Sequence, residues 1–184
     1  MEPARKARVD QLARIAVRLC APINFPPQVL IAQWAIESQW GQKYVGTWNG
    51  FGIKRAKRHA MYTTVQTHED LTPAQFERWK QEHTDRALRA VVEYEREGKL
   101  HVAIPDDFAD YATLEEACAD YLWTITHVSH YAAAWKSFQE TGNVPDLISG
   151  IVKGGYATGH GYIDLAQQIA AQPSVLGAIE GAQA

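Results

Sequence analysis

One carboxylate stands among aromatic and aliphatic side chains in the segment AQWAIESQWG. If this segment is helical, Glu37 shares a face with Gln33 and Trp34, and Trp40 follows three residues later. Burial disfavours the charged form of a carboxyl group, so a glutamate beside indole rings keeps its proton more easily than one in water. Such a group can serve as the general acid of glycoside hydrolysis. The spacing equally fits an acid at a helix end whose carboxylate reaches solvent, and by itself it does not choose.

The composition of the chain limits the kind of protein that carries this acid. Its 184 residues suit one domain, or one domain with a sizeable insertion, and 46% hydrophobic residues suffice for a core. The net charge of −3 and the pI of about 6.2 lack the basic excess of nucleic-acid-binding proteins. The N-terminal segment has no uninterrupted apolar run of the kind that a signal peptide or membrane span needs. We therefore expect neither nucleic acid nor membrane insertion.

The cysteine and histidine residues predict no metal or cofactor site. Cys20 and Cys118 are far apart in the sequence, which favours two buried thiols over a disulfide framework or a zinc-type cluster. His127 and His130 fall on one side of a predicted helix, but no third ligand or His-Glu-x-x-His pattern accompanies them.

Helices are predicted to surround Glu37. Apolar residues at helical spacing predict a helix over 4–20, and the next helix begins at Pro26 and Pro27 and ends at Gly41. Thr113 and Glu116 form a capping box that starts a further helix. That helix and its successors are expected at 113–126, 131–140, 145–153 and 160–171, followed by a flexible tail at 176–184.

The middle of the chain predicts a small β lobe. Residues 60–68 are rich in β-branched and aromatic side chains, and 100–104 form a second short run of this kind. Between them, residues 72–97 are predicted to be a helical insertion that starts at Pro73. The expected fold class is therefore mostly α (α+β), with residues 1–175 forming a single domain.

Five segments in order resemble the motifs of one enzyme family. VLIAQWAIESQWGQKYVGTWNGFGIK resembles its core signature, and NGFGIK within it resembles Asn-Leu-Phe-Gly-Ile-Lys with Gly50 in place of Leu. TTVQTHE resembles its Thr-x-Glu strand, DDFADYATLEEACADY its Phe-Arg-x-Tyr stretch, and GGYATGHGYIDLAQQI its Gly-Tyr-Ala-Thr segment. On these motifs the chain resembles the bacterial and phage endo-β-N-acetylglucosaminidase domains of glycoside hydrolase family 73, which cut peptidoglycan.

The resemblance implies a fold and two carboxylates. It implies a lysozyme-like helical lobe facing a small β lobe, with the glycan in the cleft between them, and it makes Glu37 the catalytic acid. Glu69 is the candidate second carboxylate, because the family places a second acid on the β lobe. Its neighbours His68 and Asp70 are polar, so Glu69 is expected to stay ionised and to act as a base. The alternatives are that Glu69 is a solvated turn residue or that Asp70 takes its place.

A second route needs no second carboxylate. The 2-acetamido carbonyl of the substrate can attack the anomeric carbon, and the enzyme then only orients it. Tyr156, the tyrosine of the Gly-Tyr-Ala-Thr segment, lies near the acid in the family and is the candidate for holding that amide or a water. The alternative for Tyr156 is packing in the cleft floor.

Aromatic and amide side chains are the candidates for binding the glycan. Trp40, Trp48 and Phe51 offer apolar faces for sugar rings, and Asn49 can bind an acetamido group. Tyr62 and Tyr162 are weaker candidates for the same cleft. Core packing is the alternative for these aromatic residues, above all for Phe51.

Two features depart from the family pattern. Ala109 stands where the family usually has Arg, so a contact that supports the site is altered or supplied elsewhere. The insertion at 72–97 separates the Thr-x-Glu strand from its partner, so the rim of the cleft should differ from the usual hairpin.

The predicted function is hydrolysis of the β-1,4 bond between N-acetylglucosamine and N-acetylmuramic acid in peptidoglycan. A muramidase or lytic transglycosylase on the same scaffold is the enzymatic alternative, and a cell-wall-binding module without turnover is the other. The substrate lies outside the cytoplasm, so the absence of a visible signal peptide points to a phage-encoded lysin, an effector or part of a larger exported protein.

Overall fold

The computed structural model describes residues 2–157, 159 and 161–184 and divides the chain into two compact units. Unit 1 comprises Met1–Gly52 and Tyr111–Ala184, and unit 2 comprises Ile53–Asp110. Unit 1 is helical, whereas unit 2 holds a three-stranded antiparallel sheet, so the predicted fold class is confirmed. Within the described residues no helix is both long and apolar enough to cross a membrane.

The elements are numbered in chain order. The helices are α1 (Pro3–Cys20), α2 (Pro27–Glu37), α3 (Pro73–Glu82), α4 (Leu114–His127), α5 (Ser129–Thr141), α6 (Val144–Ile151), α7 (Tyr162–Ala170) and α8 (Pro173–Gln183). A π-helical turn, Val152–Tyr156, follows α6. The strands are β1 (Tyr62–Leu71), β2 (Val91–Arg96) and β3 (Lys99–Ala109).

Helix α2 lies at the centre of unit 1. Every residue from Val29 to Ala35 is buried, and the helix contacts α1, α4, α7 and α8. A helix that is apolar around its whole circumference is stable only when other elements surround it. Pro27 at its first position fixes φ without losing a helical hydrogen bond, which explains where it begins.

Helix α2 ends at Glu37, so the prediction that it continues to Gly41 is wrong. Gln39 and Trp40 adopt left-handed backbone conformations, with φ of 51° and 62°, which no helix can continue through. Ser38 closes the end: its hydroxyl donates to the Trp34 carbonyl and accepts from the Gly41 backbone N–H at 2.8 Å. Glu37 is therefore the last helical residue before a sharp turn.

The C-terminal segment is a helix, so the predicted flexible tail at 176–184 is wrong. Val175 and Ile179 of α8 are buried, and α8 packs against α1. Their spacing of four residues puts both side chains on one helical face, and burial of that face stabilises a segment whose alanine and glycine content suggested fraying. The other predicted helices of unit 1 are present, with α4 capped by the Thr113 side chain as expected.

In unit 2, β3 is the central strand of the sheet. It pairs antiparallel with β1 on one side and with β2 on the other, and Glu69 lies opposite Val102 in this register. Helix α3 covers one face, where Phe76 packs with Val102 and Ile104 in a small core. Both predicted β runs are therefore strands, each longer than its β-prone core.

The insertion at 72–97 is only half helical, which corrects the prediction. Residues 73–82 form α3, capped by a box between Thr72 and Gln75, but 91–96 form strand β2. The β-branched and aromatic residues of VVEYER favour a strand once β3 offers a partner. Glu97 and Gly98, both at positive φ, then make the two-residue turn into β3.

Candidate active site

Glu37 lies at the C-terminal end of α2, where Tyr162 from α7 reaches it. The Tyr162 hydroxyl donates to Glu37 Oε1 at 2.8 Å. Burial of the carboxyl raises the pKa of Glu37, and the hydrogen bond from Tyr162 lowers it, with burial the stronger influence. The residue as a whole is still exposed to solvent. The site therefore combines a carboxyl that tends to hold its proton with an open path for a substrate to reach it.

The second carboxyl oxygen of Glu37 faces the loop that precedes unit 2. A Cβ atom built on Gly52 would lie 3.7 Å from Glu37 Oε2, and no side chain occupies that position. Because Oε1 already accepts from Tyr162, Oε2 is the oxygen left to carry a proton toward a ligand.

Tyr156 lies near this carboxyl but its hydroxyl is already engaged. It donates to the Phe51 backbone carbonyl at 2.9 Å and so ties the π-helical turn to the loop around Phe51. Burial, followed by neighbouring tyrosines and Glu37, raises the pKa of Tyr156 well above its ordinary value, so this hydroxyl stays neutral. In the segment that contains Tyr156, the predicted motif residue Thr158 lies outside the described residues.

Glu69 lies in unit 2, on the face of the sheet that α3 covers. Its carboxylate pairs with the Lys54 ammonium at 3.2 Å, and Asp106 pairs with the same ammonium at 2.8 Å. Burial opposes the charge on Lys54, but the two carboxylates outweigh it and raise the pKa of Lys54. A groove of about 440 Å³ opens beside Glu69, with Trp79 of α3 in its wall. Glu69 is therefore a partly buried, ion-paired strand residue, not a solvated turn residue.

A model of one protein family matches most of this chain. It is the glucosaminidase model, described as mannosyl-glycoprotein endo-beta-N-acetylglucosaminidase, and it matches residues 13–174. The chain belongs to the glucosaminidase family. The resemblance drawn from the motifs is confirmed, and the protein is a glycoside hydrolase domain. Curated protein sequences gave no match.

Solved structures share the fold of this glucosaminidase. The catalytic domain of the autolysin Auto from Listeria monocytogenes matches with a TM-score of 0.68 and 22% identity over 97% of this chain and 89% of that chain. A mutant peptidoglycan hydrolase from Sphingomonas sp. A1 matches with a TM-score of 0.65 and 20% identity over 96% and 99%. The glycoside hydrolase domain of FlgJ from Salmonella typhimurium matches with 0.61 and 20% over 96% and 91%.

The predicted glycan-binding residues of this glucosaminidase fall into two groups by exposure. Asn49 and Phe51 are buried, and the Phe51 ring stacks on Tyr121 with centroids 4.6 Å apart. Trp40 and Trp48 are only half-buried, although the Arg5 guanidinium carbon lies 5.0 Å from the Trp40 ring centroid and Tyr44 packs edge-on against Trp48. The structure thus supports a packing role for Phe51, and the two tryptophans remain the more exposed candidates.

Trp34 is a core residue, and two glycines of this chain pack against its ring. Its indole is fully buried, and Cβ atoms built on Gly41 and Gly50 would approach it to 2.6 Å and 2.8 Å. Side chains cannot approach so closely, so the two glycines make room for the ring. In this chain Gly50 therefore belongs to the packing behind the acid.

Tyr62, the remaining predicted sugar contact, lies in unit 2 with an arginine over its ring. The Arg55 guanidinium carbon is 3.5 Å from the Tyr62 ring centroid. In the sheet register Tyr62 lies opposite Ala109, the position where the family usually has Arg. The arginine that the family usually has at position 109 is missing here. Arg55 instead places its guanidinium against Tyr62, the residue opposite Ala109.

Asp107 organises the charges beside this tyrosine. It is buried and accepts hydrogen bonds from Thr64 at 2.5 Å, from Arg86 at 2.6 Å and from Arg55 at 3.3 Å. Burial alone would raise the pKa of Asp107, but these hydrogen bonds outweigh it and hold the pKa below its usual value. Arg86 comes from the insertion, so the insertion is held to the sheet by a buried ion pair.

The sequence made Tyr162 only a weaker candidate for binding the glycan and did not indicate the residues that lie behind it. Tyr162 touches Glu37 directly, and Tyr121 donates a hydrogen bond to Gln33, the buried amide one helical turn before Glu37. The available signal was the polar Gln33 in an otherwise apolar stretch, because a buried amide needs a partner. Among the described residues no group of three or more His, Cys, Asp or Glu side chains could hold a metal ion.

Proposed function

We propose that this glucosaminidase hydrolyses the β-1,4 bond between N-acetylglucosamine and N-acetylmuramic acid in peptidoglycan, with Glu37 as the general acid. The observation that carries the proposal is the environment of Glu37. Its carboxyl is enclosed enough to raise its pKa, is held at Oε1 by Tyr162 and is still open to solvent. These are the properties of a group that donates a proton near neutral pH.

In this mechanism Glu37 Oε2 gives its proton to the glycosidic oxygen as the bond from that oxygen to the anomeric carbon breaks. Positive charge develops at the anomeric carbon, and the ionised Glu37 then lies beside it. A water molecule completes the reaction by adding to that carbon and losing a proton. Tyr162 stabilises the carboxylate that forms, because its hydroxyl already points at Oε1.

Glu69 is proposed as the base that takes the proton of the attacking water. Its pairing with Lys54 favours a carboxylate ready to accept a proton over a carboxylic acid. The 2-acetamido carbonyl of the substrate is the alternative nucleophile, in which case Glu69 is dispensable. Tyr156 is proposed to act by fixing the Phe51 carbonyl and the loop around it.

Trp40 and Trp48 are the proposed sugar platforms, because these residues are only half-buried. Tyr62 is proposed to assist through its hydroxyl, whereas Asn49, which accepts from the Phe51 backbone N–H, and Phe51 itself support the loop from within. The match of the family model across both units supports one catalytic domain. The relatives described as an autolysin and as a peptidoglycan hydrolase support the bacterial cell wall as the place of action.

Fragment analysis tests the proposal. Purified peptidoglycan is digested with the parent protein and with Glu37→Gln, which keeps the shape and the Tyr162 contact but cannot donate a carboxyl proton, and the products are identified by mass after reduction. Reducing-end N-acetylglucosamine from the parent, with at least a ~100-fold lower rate for Glu37→Gln, is expected. Reducing-end or anhydro N-acetylmuramic acid would indicate a muramidase or a lytic transglycosylase instead, and undiminished release by Glu37→Gln would exclude Glu37.

A second pair of variants tests Glu69. If Glu69 is the base, Glu69→Gln should lower kcat by roughly 10²–10⁴-fold, whereas Asp70→Asn, the neighbouring acid on the opposite sheet face, should keep the parent rate. A parent-like rate for Glu69→Gln would favour the substrate's own acetamido group. The reverse result would move the role of base to Asp70.

A further inference from the structure

Gln33 is a polar residue in the apolar stretch that carries Glu37. It lies one helical turn before Glu37 on α2 and is fully buried. Burying an amide without hydrogen bonds costs free energy, so its partners indicate why it is there. One partner is the hydroxyl of Tyr121 on α4, itself fully buried, which donates to Gln33 Oε1. The oxygen of the amide is thus held from the side of α4.

The nitrogen of the Gln33 amide is also buried. It makes no hydrogen bond of good geometry with any described residue. Tyr162 is nevertheless close: burial and Glu37 raise the pKa of Tyr162, and the Gln33 side chain acts against that increase. A buried N–H donor thus lies beside the tyrosine that holds the proposed acid, and a small rotation of either side chain would join them.

We propose that Gln33 is a positioning residue: anchored by Tyr121, its N–H group donates to the Tyr162 oxygen and so directs the Tyr162 hydroxyl to Glu37 Oε1. A tyrosine hydroxyl has one hydrogen, and an oxygen that accepts from Gln33 directs that hydrogen elsewhere. Four side chains then form one chain of hydrogen bonds from the core to the acid. The result is that the proton of Glu37 is placed on Oε2.

The inference rests on the proposed function of Glu37, but it can be tested separately. Glu37→Gln is assayed alongside to establish whether Glu37 is the acid at all. The pKa of Glu37 is measured directly by NMR of the carboxyl carbon in the parent, in Gln33→Met and in Tyr162→Phe. Among the described residues of unit 1, the titratable groups beside Glu37 are the hydroxyls of Tyr162 and Tyr156, whose own pKa values are raised, so neither should titrate with the carboxyl.

Loss of the Tyr162 hydroxyl should raise the pKa of Glu37 by about one unit, because that hydrogen bond favours the carboxylate. Gln33→Met should raise it by about half as much, since the hydroxyl remains but is no longer directed. The alkaline limb of the activity profile should move to higher pH by the same amounts, because the acid works in its protonated form. In the Tyr162→Phe background, Gln33→Met should add no further shift. Gln28→Met, at the start of the same helix, is the matched control and should change nothing.

A double variant keeps the test valid if Gln33→Met is unstable. Removing one partner strands the buried Tyr121 hydroxyl, whereas Gln33→Met with Tyr121→Phe removes both polar groups and can be nearly neutral for stability. The double variant should fold like the parent, and its Glu37 pKa should exceed that of the parent by the amount expected for Gln33→Met. A Glu37 pKa that Gln33→Met leaves unchanged would overturn the inference. So would a shift of the Glu37 pKa by Gln33→Met that is equally large with and without the Tyr162 hydroxyl. If Glu37→Gln stays active while Gln33→Met and Tyr162→Phe shift the Glu37 pKa as expected, only the proposed role of Glu37 as the acid is rejected.

Discussion

At the scale of single residues, the environment that suits Glu37 for proton donation also lowers the stability of the folded protein when Glu37 is charged. Burial raises the pKa of its carboxyl in the folded protein, so the folded state is favoured at low pH, and this advantage is lost as the pH rises through the folded pKa. Glu37→Gln removes the cost of the charge. We therefore expect this variant to have the higher Tm at pH 8, by at most about 3 °C, and the same Tm as the parent at pH 4.

Calorimetry of the two proteins at both pH values measures the difference. Glu180→Gln, an exposed position on α8, is the control and should not change the Tm at either pH. A Glu37→Gln variant less stable than the parent at pH 8 would mean that its charged form is favoured in the folded protein, contrary to the proposed role.

Gly50 illustrates how a residue without a functional group shapes the site. A methyl group at this position would lie 2.8 Å from the Trp34 ring and 3.0 Å from Tyr44, in a region without spare volume. Gly50→Ala should therefore lower the free energy of unfolding by about 1–3 kcal/mol. Gly181→Ala, where nothing lies within 4 Å, should be neutral or slightly stabilising. Urea denaturation distinguishes the two, and equal effects would mean that Trp34 moves aside freely.

Glu37 became a candidate through a local signal, an acid in an apolar helix beside two tryptophans, and the family motifs then predicted its role as the acid. Tyr162 touches Glu37 across 125 residues of sequence, and the link between Tyr121 and Gln33 spans 88. Such contacts depend on how α4 and α7 pack on α2, which no spacing along the chain reveals. The family motifs contained Tyr162, but only the structure shows which atom it holds.

At the scale of elements, the β2–β3 hairpin has a turn that its sequence does not favour. Glu97 and Gly98 both have positive φ, the pattern of a type I′ turn, in which Asn-Gly is preferred and glutamate is poor. Glu97→Asn should therefore raise the free energy of unfolding by about 0.5–1 kcal/mol. Glu95→Asn, an exposed position within β2, should lower it slightly because asparagine is a poor strand residue. A destabilised Glu97→Asn variant in urea denaturation would contradict this account of the turn.

This turn also shows why β2 was predicted as helix. The apolar residues Leu88, Val91 and Val92 before Gly98 fit a helix that ends at this glycine, and only the pairing with β3 decides otherwise. For α8 the error has the opposite sign, because a helix was predicted to be a frayed tail. The packing of α8 against α1, with Val175 and Ile179 buried, stabilises this helix. By contrast, the start of α2 and the whole of α4 agree with the prediction, because Pro27 marks the first and the Thr113 cap with the burial pattern marks the second.

At the scale of the whole molecule, the two units do not follow the order of the sequence. Unit 1 is assembled from two segments that flank unit 2, so no linker-like composition marks the boundaries. The sequence therefore predicted a single domain with an insertion at 72–97, whereas the compact second unit spans Ile53–Asp110 and includes both strands that flank that insertion.

One carboxyl in each unit should contribute to the pH dependence of stability, and the two contributions should have opposite signs. In unit 2, hydrogen bonds hold the pKa of Asp107 below its usual value despite burial, so its stabilising effect is present above the pKa of an unfolded aspartate, near 3.9. This contribution is lost as the pH falls through the folded pKa, whereas the effect of Glu37 in unit 1 favours the folded state at low pH. Asp107→Asn should therefore cost about 2–3 kcal/mol at pH 7, because Arg86 loses a buried partner.

Urea denaturation at pH 7, 4 and 2.5 measures this cost. The cost should shrink toward pH 2.5, because the parent carboxyl takes up a proton as the pH falls toward its lowered folded pKa. Asp85→Asn is the matched control, because Asp85 contacts the same Arg86 from an exposed position and should contribute less than about 0.5 kcal/mol at any pH. A cost for Asp107→Asn that is the same at all three pH values would assign the role of Asp107 to its shape and neutral hydrogen bonds instead of its charge.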